Sequence, residues 1–306
     1  MISILCPCFN EEKSLPLFFD RIILVMENTG EEFEFVFAND GSTDDTLSVL
    51  KNYVAQDKRV RVIDFSRNFG KEAAITALLD YSHGDAVVLL DADLQHPPEL
   101  IPEMIQKWHE GWEVVAARRD RGTDSFLKKY TALAFYRFSN YMMSYKIPAN
   151  VGDFRLMDRC VVDTLIKFRE SQRLMKGLFA WAGFNTYFID YKAEKRAAGK
   201  SKFRILSLWH LAVDGITSFS TLPLRIWSYI GGIIAFGAFI YGLVIAADTW
   251  IFGKDTPGYA TTVCLILLFG GLQLLGIGVM GEYLGRTYIE SKNRPIYIVR
   301  KVFENE

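Results

Sequence analysis

The sequence lacks the patterns that mark several large classes of protein. Its four cysteines, at positions 6, 8, 160 and 264, form neither a CxxC pair nor a Cys/His zinc spacing. No GxGxxG follows a predicted strand and GxxxxGK[ST] does not occur, so dinucleotide and P-loop interpretations lose their usual support. Because 35 basic residues stand against 36 acidic ones, nucleic-acid binding driven by bulk positive charge is excluded. No basic segment precedes the first apolar run, so no signal peptide is predicted.

Two uncharged stretches in the second half of the 306-residue chain are long enough to cross a bilayer. Residues 226–247 and 260–281 each exceed the ~20 apolar residues that a hydrocarbon core requires. Both are rich in glycine, which suits close helix packing in lipid. The alternative is a pair of helices buried in a soluble core. The basic residues that flank the two stretches, and the single lysine of loop 248–259, predict that both termini face the cytoplasm.

The first 117 residues alternate between strand and helix patterns. Strands are predicted over 2–8, 33–38, 60–65, 86–90 and 114–117, and helices over 12–28, 43–55, 71–82 and 98–110. Such alternation predicts an α/β fold, Rossmann-like, with a mostly parallel sheet. Helices are predicted over 125–183 and a strand over 184–191. Residues 205–222 fit either a helix in the membrane interface or an ordinary amphipathic helix.

Six segments follow from these patterns. We expect a catalytic domain over 1–200, juxtamembrane interface helices over 201–225, transmembrane helices over 226–247 and 260–281, an extracytoplasmic loop over 248–259, and a cytoplasmic tail over 282–306.

Acidic side chains follow two of the predicted strands. Asp91 and Asp93 come directly after an apolar strand, where two neighbouring carboxylates repel each other unless a cation lies between them. Mg²⁺ or Mn²⁺ with a diphosphate is the natural occupant, and Gln95 can add a neutral oxygen. An acidic turn that caps the next helix is the alternative. Asp40 can accept hydrogen bonds from a nucleotide, or it can form an Asx turn within Asp-Gly-Ser.

Together these segments resemble family 2 glycosyltransferases of the GT-A fold. The motifs that carry the resemblance are PCFNEE at 7–12, NDGSTDDT at 39–46, NFGK at 68–71 and DADLQHP at 91–97. Further segments, VGDFRLM at 151–157, AGKSKF at 198–203, TSFSTLP at 217–223 and GEYLGRT at 281–287, are similar to those of bactoprenol glucosyltransferases, and more broadly of dolichyl-phosphate mannose synthases. His96 departs from the pattern, since such enzymes often carry Asp there.

The resemblance implies an enzyme that moves glucose from UDP-glucose to undecaprenyl phosphate, with inversion, at the cytoplasmic face of the bacterial inner membrane. It implies that the nucleotide sugar is held by Pro7, Phe9, Glu11, Asp40, Lys71, Asp91 and Ala92. It implies a metal held by Asp91, Asp93 and Gln95, with Asp93 catalytic. It also implies a homo-oligomer such as a tetramer, a separate translocase for the lipid product, a downstream glucosyltransferase and a role in O-antigen modification.

The acceptor is a phosphate monoester, so the site must hold one anion beside another. Cations suited to this task are Arg118, Arg155, Lys200, Lys202 and Arg204. The segment from Lys200 to Arg204 can instead be a juxtamembrane stretch that attracts anionic lipid. Asp153 is the candidate that orients the acceptor phosphate or takes a residual proton. Its alternative is a salt bridge to Arg155 or Arg159.

Three rival functions remain open. The first is the same reaction with GDP-mannose or UDP-4-deoxy-4-formamido-arabinose as donor. The second is a processive membrane synthase, disfavoured because the chain has no QxxRW-type segment and no further spans. The third is a membrane scaffold without turnover, disfavoured because clustered unpaired acids are costly to keep.

Overall fold

The computed structural model describes residues 1–120, 148, 150–171, 173–192, 222–252 and 258–305. The chain divides into two compact units, one of residues 1–209 with 294–306 and one of residues 210–293. The predicted interface helices upstream of residue 222 and the predicted cations Lys200, Lys202 and Arg204 lie outside the described residues.

The first unit is built on an eight-stranded sheet with the order β7-β5-β6-β4-β1-β2-β3-β8. Strands β1 to β5 and β7 run parallel to their neighbours within that set, while β6 and β8 pair antiparallel. The strands are β1 Ile2–Cys8, β2 Phe33–Asn39, β3 Val60–Phe65, β4 Ala86–Leu89, β5 Val114–Arg119, β6 Val151–Asp158, β7 Thr186–Tyr191 and β8 Val299–Phe303.

Helices cover both faces of this sheet because its strands are apolar on both sides. The helices of the first unit are α1 Leu15–Glu27, α2 Thr46–Gln56, α3 Lys71–Asp80, α4 Ile101–His109, α5 Arg159–Ile166 and α6 Met175–Ala182, with a 3₁₀ turn at Pro98–Leu100. A buried cluster joins α1, α2 and α4 to one face, where Phe18 and Phe37 meet edge to face. Helix α3 packs on the opposite face against β1 and β2.

Two strands were not predicted from the sequence. The predicted helical stretch 125–183 is wrong over Val151–Asp158, which forms β6 between β4 and β5. Phe154 and Leu156 lie in the buried cluster while Asp153 and Arg155 alternate to the other face, a period of two that the aromatic-rich surroundings obscure. The C-terminal residues also return to the sheet, because β8 pairs with β3 and extends its edge.

The second unit contains two long apolar helices, α7 Leu222–Phe252 and α8 Tyr259–Ser291. Leu224–Ile251 and Leu268–Ser291 are long and apolar enough to cross a membrane. Their most apolar windows are 0% and 6% buried, so they are not core helices of the kind that the soluble alternative requires. Both helices extend beyond the predicted spans 226–247 and 260–281.

Candidate active site

The antiparallel strand β6 brings two acidic residues together at the carboxyl end of β4. Leu89 pairs with Arg155, and the same register continued by two residues places Asp91 opposite Asp153. Ligands of open α/β sheets bind beyond the carboxyl ends of the parallel strands. Because β6 runs antiparallel to β4, its N-terminal residues lie beside the carboxyl ends of the parallel strands.

Lys71 connects these two carboxylates. Its Nζ lies 2.7 Å from Oδ1 of Asp91 and 2.7 Å from Oδ2 of Asp153. Gly70, at φ 98°, precedes α3 and directs the first residue of this helix, Lys71, toward the sheet edge. Lys71 was assigned to the nucleotide sugar from the resemblance, and the structure shows that it pairs with both acids.

The charges of this cluster shift the pKa of each member. Burial alone raises the pKa of Asp153, but Lys71, Lys176 and Arg155 overcome this effect and lower it. Burial lowers the pKa of Lys71, yet Asp91 and Asp153 reverse the shift and raise it. At neutral pH Asp153 is therefore a carboxylate, and its ion-pair partner is Lys71 rather than the Arg155 or Arg159 expected from the salt-bridge alternative.

His96 lies beside this cluster, and its ring is neutral. Its Nδ1 lies 2.7 Å from the Tyr191 hydroxyl, and its Nε2 lies 3.9 Å from Oδ2 of Asp91. Burial lowers the pKa of His96 and outweighs the opposing effect of Asp91. Burial also raises the pKa of Tyr191 to about 12, so this hydroxyl keeps its proton. His96 thus places an uncharged ring at the position where such enzymes often carry Asp. A carboxylate there would add a third negative charge to those of Asp91 and Asp153.

The loop after Asp91 turns sharply at Leu94, whose φ is 57°. Oδ1 of Asp93 accepts a hydrogen bond from the Gln95 backbone at 3.1 Å, and Ala92 is buried. Within the described ranges, no three His, Cys, Asp or Glu side chains gather as a metal site. Mg²⁺ is commonly held by one or two carboxylates together with substrate phosphates. The hard oxygen donors of Asp91 and Asp93 fit a divalent cation of that kind.

Asp40 holds the loop that leads into α3. Its Oδ1 accepts the Phe69 backbone N–H at 2.7 Å and its Oδ2 accepts that of Gly70 at 3.0 Å. Burial raises the pKa of Asp40, and these two hydrogen bonds oppose the rise. The Asx alternative requires a hydrogen bond within the turn of Asp40 itself. The carboxylate instead accepts its hydrogen bonds from the loop after β3. Asp40 therefore links the ends of β2 and β3.

Gly41 allows the same two loops to approach each other closely. Its φ is +63°, and a Cβ at this position would lie 2.5 Å from the carbonyl carbon of Arg67 and 2.5 Å from the backbone nitrogen of Asn68. A residue with a side chain would force the loops apart. The Asp-Gly pair thus keeps the loops after β2 and β3 in close contact.

The loop after β1 is bonded to the loop after β2. The side-chain oxygen of Asn10 accepts the Thr43 backbone N–H at 2.8 Å, and Thr46 Oγ1 accepts that of Glu11 at 2.8 Å. The Glu11 carboxylate accepts the Ser14 hydroxyl. Phe9 remains 41% exposed at the rim, beside the half-buried Pro7. Of the nucleotide residues that the resemblance implies, Pro7 therefore lies at the end of β1, and Phe9, Glu11 and Asp40 lie on the neighbouring loops after β1 and β2.

Two of the cations predicted to bind the acceptor phosphate, Arg118 and Arg155, lie in the described residues, and their environments differ. Arg118, at the end of β5, forms a two-pronged ion pair with Asp190 of β7, at 2.6 and 2.8 Å. Arg155 is 5% exposed, and its guanidinium lies 3.6 Å from the centre of the Phe179 ring. Arg118 is thus bound to a surface carboxylate, whereas Arg155 is buried beneath α6.

Sequence reasoning missed two residues near Asp153. The Glu72 carboxylate accepts the Met175 backbone N–H at 3.1 Å and thereby joins the starts of α3 and α6. Burial, with the charge of Asp153, raises the pKa of Glu72 to about 7. Lys176 follows Met175 and its charge lowers the pKa of Asp153. The only local signal was the position of Glu72 directly after Lys71 at a helix start.

Residues 3–166 match the model of the glycosyl transferase family 2. The chain belongs to this family. It is 48% identical over 302 residues to the prophage bactoprenol glucosyl transferase homolog of Escherichia coli, covering 98% of this chain and 99% of that protein. The bactoprenol glucosyl transferase of Shigella phage SfV is 48% identical, with 98% of each chain covered. The uncharacterized glycosyltransferase YkcC of Bacillus subtilis is 43% identical, covering 98% of this chain and 94% of that protein.

Family membership confirms the activity class and the fold predicted from the sequence. The protein is a glycosyltransferase, and its mixed eight-stranded sheet with helices on both faces is the GT-A fold. The family match ends at residue 166, so α6, β7 and the second unit lie beyond it, whereas the relatives cover them.

Proposed function

We propose that this glycosyltransferase moves glucose from UDP-glucose to undecaprenyl phosphate, with inversion at the anomeric carbon, and yields undecaprenyl phosphate-glucose. The single observation that carries this proposal is 48% identity to bactoprenol glucosyl transferases over 98% of the chain. The acidic cluster at the carboxyl end of β4 supports it, because carboxylates can hold the divalent cation that binds a donor diphosphate.

The donor would lie across the ends of β1, β2 and β4. We assign the nucleotide to Pro7, Phe9, Glu11 and Asp40, and the diphosphate to the region of Asp91 and Ala92. Mg²⁺ or Mn²⁺ held by Asp91, Asp93 and Gln95 would supply neutralisation of the charge on departing UDP. Lys71 is a fixed positive charge at the same edge, and it would add to that neutralisation when the donor enters.

The acceptor phosphate needs little help from a general base. The second pKa of a phosphate monoester is ~6, so it is already largely dianionic at neutral pH. Asp153, whose pKa is lowered, is a weak base and is suited to orienting neighbouring cations. We propose that Asp153 acts in this way and that Arg118, Arg155, Lys200, Lys202 and Arg204 supply the cations that attract the lipid head.

The two apolar helices support an acceptor that stays in the bilayer. Removing a long isoprenoid tail from lipid costs ~0.8 kcal/mol for each CH₂ exposed to water, so a site at the headgroup level avoids a prohibitive cost. We propose a multi-pass protein of the bacterial inner membrane, with the catalytic domain and both termini cytoplasmic. It would act as a homo-oligomer, upstream of a translocase and of a second glucosyltransferase that modifies O-antigen.

A transfer assay tests the proposal. Purified full-length protein would be incubated with undecaprenyl phosphate and a panel of radiolabelled donors, UDP-glucose, GDP-mannose and UDP-4-deoxy-4-formamido-arabinose, with and without Mg²⁺ or Mn²⁺. We expect labelled lipid from UDP-glucose only, lost in Asp93→Ala and kept in the matched surface variant Asp163→Ala, since Asp163 is 59% exposed. Label from another donor would reassign the sugar, and no label from any donor would favour the scaffold alternative.

A further inference from the structure

A cavity of about 190 Å³ lies between helix α6 and the strands β5, β6 and β7. Val151, Phe179, Ala180, Phe184 and Phe188 are among its lining residues. Two cations, Arg155 and Lys176, also line it. We call this space the α6 cavity. A cavity lined by aromatic rings and two positive charges is suited to a ligand that has an anionic end and an apolar stem.

Arg155 is the buried cation of the α6 cavity. Its Nη2 donates to the Gly152 carbonyl oxygen at 2.7 Å, and its Nε has no hydrogen-bond partner. Among the described residues it forms no ion pair, although only 5% of it is exposed. Burial lowers the pKa of Arg155 to about 10, with Asp153 opposing the shift. A buried guanidinium left short of an anion is costly unless a ligand completes it.

Lys176 supplies the second charge at the mouth of the cavity. It is exposed, and in the described part of the chain no carboxylate forms an ion pair with it. Its charge and that of Arg155 both lower the pKa of Asp153, so all three groups are within electrostatic reach of one another. Asp153, Arg155 and Val151 alternate onto the same face of β6. The cavity thus adjoins the acidic cluster on the side away from the β1 and β2 loops.

We propose that the α6 cavity binds the phosphate monoester of the acceptor together with the isoprene units next to it, with Arg155 and Lys176 on the phosphate. This inference rests on the proposed function and deepens it. Arg118 is paired with Asp190, whereas Arg155 and Lys176 have room for an anion. The aromatic rings of Phe179, Phe184 and Phe188 provide apolar surface for a branched, unsaturated hydrocarbon stem.

Binding to the full-length protein tests the proposal directly. The probes are farnesyl phosphate, farnesol and inorganic phosphate, measured by titration calorimetry in detergent. Farnesyl phosphate carries both the anion and the stem, so we expect it to bind at least about tenfold more tightly than either of the others. Equal affinity for inorganic phosphate would mean a site for free phosphate and would overturn the proposal, as would equal affinity for farnesol.

Two variants locate the binding. Lys176→Gln removes the charge at the mouth, and Ala180→Leu fills the cavity with apolar atoms while it keeps both cations. We expect each to weaken farnesyl phosphate by about tenfold and to raise the KM for undecaprenyl phosphate, with the KM for UDP-glucose within about twofold. The matched control is Lys167→Gln, an exposed lysine that does not line the cavity. Its affinity should equal that of the wild type.

The outcomes separate this inference from the proposed function. If the wild type transfers glucose to undecaprenyl phosphate but both variants bind farnesyl phosphate as the wild type does, the cavity assignment is wrong and the proposed function stands. If no polyprenyl phosphate is glycosylated but farnesyl phosphate binds and both variants weaken it, the cavity is confirmed and the proposed function is wrong. Because Ala180→Leu retains the charges, it decides the matter even if Lys176→Gln does not fold.

Discussion

The ammonium nitrogen of Lys71 lies 2.7 Å from Oδ2 of Asp153, and this contact joins the first residue of α3 to the reversed strand β6. The ion pair keeps Asp153 ionised in a place where burial would otherwise favour the neutral acid. Because the pKa of Asp153 is lowered, the pair stabilises the fold above the carboxyl's unfolded pKa of about 4. This contribution is lost as the pH falls through the lower folded value.

Lys71→Met should shift the pH dependence of transfer. Without Lys71, only Lys176 and Arg155 oppose the effect of burial, which raises the pKa of Asp153, so the acid limb of kcat/KM should move to higher pH. Activity on the acid side should therefore fall further than activity at pH 8. A pH–rate profile with saturating donor measures the shift.

Lys71→Arg is the control for this prediction. Its guanidinium keeps the positive charge, so the acid limb should stay near that of the wild type even where geometry lowers the rate. Equal losses at all pH values in both variants would mean that Lys71 acts only through shape, and the electrostatic assignment would then be abandoned.

Glu72→Gln should remove a loss of stability that sets in above about pH 4.5. The pKa of Glu72 is raised to about 7 by burial and Asp153, so the folded state holds a proton that the unfolded chain has released. Stability then falls as the pH rises from about 4.5 to 7. Glutamine can still accept the Met175 N–H, so the variant should gain roughly 2 kcal/mol at pH 8, allowing for solvent screening, and nothing at pH 4. Thermal unfolding at both pH values decides; an equal change at both would contradict the assignment.

Gly41→Ala should separate two costs that glycine avoids. Both Gly41 and Gly30 have positive φ, but only Gly41 has neighbours in the way of a Cβ, at Arg67 and Asn68. Gly30→Ala should cost ~1 kcal/mol for its backbone conformation alone. Gly41→Ala should cost ~1–3 kcal/mol more, because the loops must move apart, and it should weaken UDP binding. Denaturant unfolding and UDP titration of the two variants, made side by side, measure the difference; equal costs would refute the close approach.

Local patterns were sufficient for the parallel part of the fold. Strand β3 runs from Val60 to Phe65 as predicted, and the acids after β4 lie at the sheet edge where the alternation of elements places them. These features depend on residues within a few positions of each other in the chain. The GT-A fold and the glycosyltransferase class therefore followed from motifs that are contiguous in sequence.

The remaining features depend on pairings distant in sequence. Nothing local to Val151–Asp158 says that it inserts between β4 and β5, and nothing near Val299 points to β3, whose residues lie more than 200 positions earlier. The partners of Lys71 could not be predicted for the same reason, because only the register of β6 brings Asp153 next to Lys71. Asp40 was identified as an acceptor, but its N–H partners at Phe69 and Gly70 belong to another loop.

Gly276→Ala should disturb the packing of the two apolar helices. A Cβ at position 276 of α8 would meet the ring of Trp227 in α7, with Cδ1 and Cε2 both at 2.7 Å, so the indole or the helix must shift. Close approach through small residues is how helices associate in lipid. We expect a loss of ~1–3 kcal/mol, seen as a lower unfolding temperature of the full-length protein in detergent. Gly278→Ala is the matched control, because nothing lies within 4 Å of its added Cβ and alanine favours the helix. If both variants unfold at the wild-type temperature, Trp227 does not pack on Gly276 and the helix pair is joined elsewhere along its length.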